Sequence, residues 1–215
     1  MSATQLLVFA KAPVPGRVKT RLCPPCSPDQ AALVAAAALA DTLAAADAAP
    51  VAVRTLVLDG AHCAPPAWRT VRQRGNGLAE RLANGYLDSA MPGHHALLIG
   101  MDTPQVTPGL LGTAVRALAT ADAVLGLAED GGWWALGLRD PADAAALRRV
   151  PMSTPDTGRS TLAALRRRGL RVAALPVLSD VDTVADAHRV VAACAPGSAF
   201  AAAVAAHVPV AVAGR

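Results

Sequence analysis

Leu6-Leu-Val-Phe-Ala-Lys-Ala-Pro-Val-Pro-Gly-Arg-Val-Lys-Thr-Arg-Leu22 is the stretch whose reading decides the fold. Its apolar first part contains β-branched and aromatic residues and ends against Pro and Gly, the pattern of a short buried strand. The loop that follows carries Lys11, Arg17, Lys19 and Arg21. In open α/β sheets ligands bind beyond the carboxyl ends of the strands, and four cations gathered there suit phosphate. A solvated basic loop would show the same residues, so the remaining segments have to decide.

Working outward, strand-like and helix-like segments alternate, which predicts a layered α/β fold. Ser27-Pro28-Asp29-Gln30 reads as an N-cap, a proline at the first helical position and a capping-box partner. It opens an Ala-rich helix expected to run to about Ala49, before Pro50. Further strands are expected at Val51–Leu58, Trp68–Gln73, Ala96–Gly100, Ala123–Leu127, Trp133–Leu138 and Arg171–Leu175. Trp133–Leu138 reads as antiparallel because its connection is short. Helices are expected at Leu78–Ser89, from Thr107-Pro108 to about Thr120, and over Pro141–Arg149, Gly158–Arg168 and Thr183–Ala193. No repeat or linker breaks the chain. The expectation is one domain over residues 1–195, with 196–215 a tail that has no evident packing partner.

Composition narrows the function. The 215 residues are 53% hydrophobic and 17% charged, enough apolar material for a real core and too little charge for a disordered chain. With a formal charge of +4 and only 3% aromatic residues, the chain lacks the dense basic stripe and stacking platforms of nucleic-acid binders. The absence of a cationic start with an A-x-A cleavage site points to a cytoplasmic location. No membrane span is expected: Ala31–Ala49 contains Asp41 and Asp47, and Ala199–Val212 is short and interrupted by His207 and Pro209. Cys23-Pro-Pro-Cys26 has metal or redox spacing but no second pair, so Cys23, Cys26, Cys63 and Cys194 read as free thiols. The five histidines have neither ligand nor triad spacing.

Three acidic segments complement the basic loop. Leu97-Leu-Ile-Gly-Met-Asp102-Thr-Pro104 delivers Asp102 to the carboxyl end of a strand. A divalent cation between this carboxylate and bound phosphates would explain it, and so would a turn. In Leu178-Ser-Asp-Val-Asp-Thr183, alternation puts Asp180 and Asp182 on one side and Val181 on the other. Asp182 could cap the next helix or share a cation with Asp102. Ala128-Glu-Asp-Gly-Gly-Trp-Trp134 reads either as a β-turn or as a close backbone approach to a ligand. Period-two geometry sends the two tryptophans to opposite faces, leaving one to line a pocket.

Taken together, F-A-K-A-P-V-P-G-R-V-K-T-R-L, G-N-G-L-A-E-R-L, L-L-I-G-M-D-T-P, A-E-D-G-G-W-W-A-L-G-L, M-S-T-P-D-T and D-V-D-T resemble a bacterial transferase family. That family is related to molybdenum-cofactor guanylyltransferase and to nucleotide-diphospho-sugar transferases. The resemblance implies the GT-A fold, a three-layer α/β/α domain with a mostly parallel, Rossmann-like sheet. It also implies a Mg²⁺ or Mn²⁺ cofactor, a nucleoside triphosphate or nucleotide sugar as donor, and a small-molecule acceptor. By resemblance Arg17, Lys19 and Arg21 hold phosphates, with Lys11 of the same basic loop expected beside them, and Gly75 and Gly77 lie near the base or ribose. Asp102 and Asp182 ligate the metal, while Gly131, Gly132 and the tryptophans face the acceptor or the transferred group. Lys19, Arg21 and Asp102 are the expected catalytic residues. The loop has one glycine where many nucleotidyltransferases have several, and Asp-x-Asp is reduced to Asp102 before Thr103.

Two reactions fit these residues. Nucleotidyl transfer to a phosphorylated acceptor, with pyrophosphate leaving, is the first expectation, because a leaving pyrophosphate calls for many cations. Glycosyl transfer from a nucleotide sugar is the alternative, with Glu129 or Asp130 as base. A nucleotide-binding module without catalysis is the third reading, and it would not need both carboxylates.

Overall fold

Leu6, Val8 and Ala10 face one apolar core while Leu7 and Phe9 face another, so β1 (Ala3–Lys11) is a central strand covered on both sides. The computed structural model describes residues 3–209. Six further strands follow: β2 (Val53–Asp59), β3 (Arg69–Arg72), β4 (His94–Gly100), β5 (Ala123–Leu127), β6 (Trp133–Leu138) and β7 (Val172–Ala174). They form one sheet in the order β3-β2-β1-β4-β6-β5-β7. β6 is antiparallel to both β4 and β5, and every other pairing is parallel, as the short β5–β6 connection requires. The strand order reverses between β1 and β4, and such switch points open a crevice at the carboxyl edge.

The helices are α1 (Pro28–Asp47), α2 (Leu78–Ser89), α3 (Pro108–Ala117), α4 (Thr157–Arg167), α5 (Val184–Val191) and α6 (Ala199–His207). Ser27 and Gln30 form the expected capping box: the Gln30 amide donates to Ser27 Oγ at 3.2 Å, and the Ser27 amide to Gln30 Oε1 at 2.8 Å. α1 is long and apolar enough to cross a membrane, yet 56% of its most apolar stretch is buried in the fold. Pro141–Arg149 is a 3-10 segment rather than the α-helix its pattern suggests. Its Asp140 cap accepts from Ala142 N, two residues on, the spacing of a tight turn.

The expected loose tail from residue 196 is corrected by α6, while residues 210–215 of it lie outside the described part. Asp41 of α1 accepts from the amides of Ala199 and Phe200 at 3.0 and 2.8 Å, satisfying the first donors of α6. Phe200 and Val204 are buried with Leu22, Val34, Ala38, Val181 and Val190 in a third core cluster. Alanine on every face of α6 hides any periodicity, and so the helix was not legible. Because Leu22 and Val181 stand beside the basic loop and the carboxylates of Asp180 and Asp182, this cluster also anchors the site. Phe200→Ala is expected to cost about 3–5 kcal/mol, readable as a shift of the urea midpoint at unchanged slope.

Candidate active site

A cleft of about 460 Å³ opens at the switch point, beyond the carboxyl ends of β1 and β4. Lys11, Arg17, Lys19 and Arg21 line it from the β1 side, and Asp102, Asp130, Asp180 and Asp182 from the β4–β5 side. The structure therefore brings together residues far apart in sequence. A backbone bond does the joining: Val181 N–H donates to Asp102 O at 3.0 Å, laying the 178–182 segment along the end of β4. Val181 points into the third core cluster, which turns its neighbours Asp180 and Asp182 toward the cleft.

The division of labour differs from the sequence expectation. Asp102 is not part of the carboxylate cluster; its carboxylate accepts the Lys19 ammonium, which also donates to Val181 O. Lys19 has a left-handed backbone (φ 48°) and its side chain is 6% exposed, so it pins three segments together rather than standing free for phosphate. The cluster consists of Asp130, Asp180 and Asp182, with one oxygen from each within 4.8 Å of the others. Arg21 pairs with Asp182 at 2.7 Å, whereas Arg17 is exposed and makes no ion pair among the described residues.

Burial first, and the Asp130 and Asp182 charges second, push the Asp180 carboxyl up to about 6, partly opposed by its own backbone hydrogen bond and by Lys19. Three carboxylates that converge on the cleft form a hard-oxygen donor set suited to Mg²⁺ or Mn²⁺. The residues present thus fit a divalent ion: Asp102 lines the same cleft paired with Lys19, while Asp130 and Asp180 group with Asp182. Signals for both were present in Asp-Val-Asp alternation and in Asp130-Gly-Gly, but sequence does not say which carboxylates a lysine will neutralise.

A pH dependence follows. Asp180 titrates at about 6 in the fold against about 3.8 in the unfolded chain, so the folded state binds the extra proton. Without divalent ion, its contribution to stability is full below about pH 3.8 and is lost as pH rises through about 6. Saturating Mg²⁺ should reverse that slope, since the ion competes with the proton. Thermal melts across pH 4–8 with EDTA or Mg²⁺ check both signs.

Gly126 of β5 has no side chain because the Trp134 indole lies where a Cβ would be. That indole donates to Pro176 O at 2.9 Å and is 2% exposed, making Trp134 structural. Trp133 is only half-buried and lines the cleft. The β5–β6 register shifts between Gly126 and Leu127, a bulge of the kind that re-aims side chains beside sites. Gly131 (φ +89°) lies directly against Pro155 O, and Gly158 N–H donates to Gly131 O at 2.8 Å. The hairpin is thereby clamped to Met152–Thr157, which supplies another cleft wall.

Three expectations place differently. Gly132 lines the cleft but Gly131 does not; its role is the clamp. Gly75 and Gly77 do not line it either, although Leu78, the first residue of α2, does. A Cβ on Gly75 would meet Glu80 Cβ at 2.8 Å, so that glycine serves the close approach to α2. Glu129 accepts from Ser179 Oγ at 2.5 Å and does not line the cleft, which leaves Asp130 as the carboxylate of that pair on the cavity. All four cysteines are free thiols.

Sheet order, switch-point cleft and opposed cations and carboxylates define a transferase of the nucleotide-diphospho-sugar transferase fold. The chain belongs to the family described as "uncharacterized protein conserved in bacteria" (DUF2064), whose profile matches residues 30–154. It is similar to a candidate nucleotide-diphospho-sugar transferase of Desulfovibrio desulfuricans G20. The two share 27% identity over 96% of this chain and 95% of that one, with a TM-score of 0.85. The fold recurs in Rv0371c of Mycobacterium tuberculosis H37Rv, crystallised with manganese, at 24% identity over 88% and 98% of the two chains and a TM-score of 0.55. It recurs again in CMP:2-keto-3-deoxy-manno-octonic acid synthetase complexed with CTP, at 13% identity over 88% and 97% and a TM-score of 0.53. No curated protein sequence matches the chain.

Proposed function

We propose that the protein is a divalent-cation-dependent glycosyltransferase that uses a nucleoside diphosphate sugar. The observation that carries this reading is the state of the basic loop. Lys19 is committed to Asp102 and Val181 O, and Arg21 to Asp182, which leaves Lys11 and Arg17 as the loop cations without an ion pair among the described residues. That is little positive charge for a triphosphate, a departing pyrophosphate and a phosphorylated acceptor together. It suits a diphosphate and an uncharged acceptor.

In this reading Arg17 and Lys11 bind the diphosphate, and Arg21 orients Asp182. Asp130, Asp180 and Asp182 would hold the divalent ion. When bound there, the ion neutralises charge developing on the departing diphosphate. The Lys19–Asp102 pair keeps the loop and the 178–182 segment in place, so the carboxylates meet the donor without reorganising. The bond from the anomeric carbon to the β-phosphate oxygen breaks and the acceptor hydroxyl oxygen bonds that carbon. The hydroxyl proton leaves with the diphosphate. The manganese complex of a fold neighbour is in keeping with a divalent ion.

Nucleotidyl transfer, which the guanylyltransferase resemblance implies, is the second reading. The fold it shares with the CTP-bound synthetase favours it. The test is product analysis with each nucleotide sugar and each triphosphate, with Mg²⁺ or EDTA. Mg²⁺-dependent release of nucleoside diphosphate is expected; pyrophosphate release from a triphosphate would move the assignment to the second reading. A nucleotide that raises the melting temperature without any turnover would leave a binding module instead.

A further inference from the structure

We propose that the cleft wall made by Trp133 and residues 152–157 is an acceptor subsite for an uncharged, ring-shaped polyol, in chemical class a neutral sugar. The inference rests on the transferase reading of the cleft. Every lysine and arginine lining the cleft comes from the loop at residues 11–21. The opposite wall, Trp133 with Met152, Ser153, Thr154 and Thr157, carries none. The basic residue next to it in sequence, Arg159, pairs with Asp156, and its side chain is 79% exposed. A phosphorylated acceptor on this wall would find no lysine or arginine of the wall itself to pair with.

What the wall does offer is an aromatic face and hydroxyls. Trp134 is buried over Gly126 and tied to Pro176 O, so the bulge leaves Trp133 as the half-buried indole at the cleft. The C–H face of a sugar ring is apolar and stacks on an indole, while its hydroxyls point outward to polar partners. Thr157 Oγ1 donates to Pro151 O at 3.0 Å and accepts from Thr154 N at 3.1 Å, which fixes it as scaffold. Thr154 Oγ1 accepts from Asp156 N at 3.3 Å and lies 3.3 Å from Thr157 Oγ1, keeping a lone pair for a ligand hydroxyl. Ser153, exposed on the same wall with φ 58°, adds a second hydroxyl. The Gly131–Pro155 clamp holds these groups beside Asp130, where an acceptor hydroxyl has to arrive. Together they make a rigid platform that reads shape and hydroxyl pattern and disfavours charge.

The test is saturation-transfer NMR on the full chain with Mg²⁺. The probes are methyl α-glucoside, methyl α-mannoside and myo-inositol, against glucose 6-phosphate and glycerol 3-phosphate. Saturation of ring C–H protons of at least one neutral probe is expected, with phosphorylated probes at least tenfold weaker. Trp133→Ala should weaken that binding by about tenfold or more, by analogy with other aromatic stacking platforms, and Trp133→Phe should restore most of it. Tighter binding of the phosphorylated probes, or binding indifferent to Trp133→Ala in a protein whose melting transition is intact, would overturn the subsite. Thermal shifts by nucleotide sugars on the same proteins separate the two claims. If nucleotides stabilise wild type and Trp133→Ala alike but no neutral probe binds, this inference alone fails. If no nucleotide stabilises either, the transferase reading fails with it.

Discussion

Asp180→Asn is expected to lower turnover by about 10²–10³-fold, the loss typical of removing one preorganised group that stabilises developing charge. The same change should raise the melting temperature of the ion-free protein above pH 6, because it removes the carboxylate most penalised by burial and by Asp130 and Asp182. The stabilisation by Mg²⁺ or Mn²⁺ should largely vanish. An inactive enzyme that melts higher is not what a merely structural aspartate would give. Asp102→Asn is the contrasting variant. Asp102 holds Lys19 rather than joining the carboxylate cluster, so its loss should cost about tenfold in activity, a positioning effect, and leave the divalent-ion response in place. If Asp102→Asn abolishes the ion response and Asp180→Asn keeps it, the two assignments have to be exchanged. Melting curves with titrated Mg²⁺, read beside turnover, decide between them.

Gly131→Ala is expected to destabilise the fold by about 2–5 kcal/mol, combining the cost of a left-handed non-glycine residue with overpacking. Any Cβ at Gly131 collides with the Pro155 carbonyl oxygen, and φ +89° is strained for alanine even without a neighbour. Relief requires residues 152–157 to swing away, breaking the bond from Gly158 N–H to Gly131 O. The loss should therefore appear as a lower urea midpoint, a raised acceptor KM and a nearly unchanged donor affinity. Gly77→Ala makes a useful reference: it shares a positive φ of 83°, but nothing lies within 4 Å of its added Cβ. With ψ 169° its backbone lies in a region almost reserved for glycine, so its cost should be that backbone term alone, about 1–3 kcal/mol. Equal destabilisation by the two changes would mean that the clamp contributes nothing beyond strain.

Much of the layered fold was legible in the sequence because its signals are local. Ser27-Pro28-Asp29-Gln30 announced α1 through its own side chains and amides, and the apolar run from Leu6 announced a strand covered on both faces. The antiparallel β6 followed from the shortness of a connection. The Asp180-Val181-Asp182 alternation placed two carboxylates on one side before any partner was known. Where composition replaced pattern, the reading stopped. The alanines of α6 carry no period, so the helix appeared only through its contacts with α1 and the Asp41 cap. Helical and 3-10 pitch differ too little over Pro141–Arg149 for periodicity to separate them.

The cleft required tertiary structure for a different reason. By itself the sequence put the basic loop and Asp102 at the carboxyl ends of strands and left open whether Asp182 would join them or cap a helix. It could not determine which charges would cancel. Lys19 reaches Asp102 and Val181 O only because residues 19, 102 and 181 are drawn together by the sheet order and the Val181–Asp102 backbone bond. That one pairing leaves Asp130, Asp180 and Asp182 as the grouped carboxylates of the cleft and takes one cation of the loop out of the unpaired set. Likewise, Trp133 and Trp134 are equivalent as letters. The bulge at Gly126–Leu127 and the space over Gly126 make one structural and the other a cleft wall. Charge pairing and face selection depend on distances between segments far apart in the chain, and only the folded structure sets those distances.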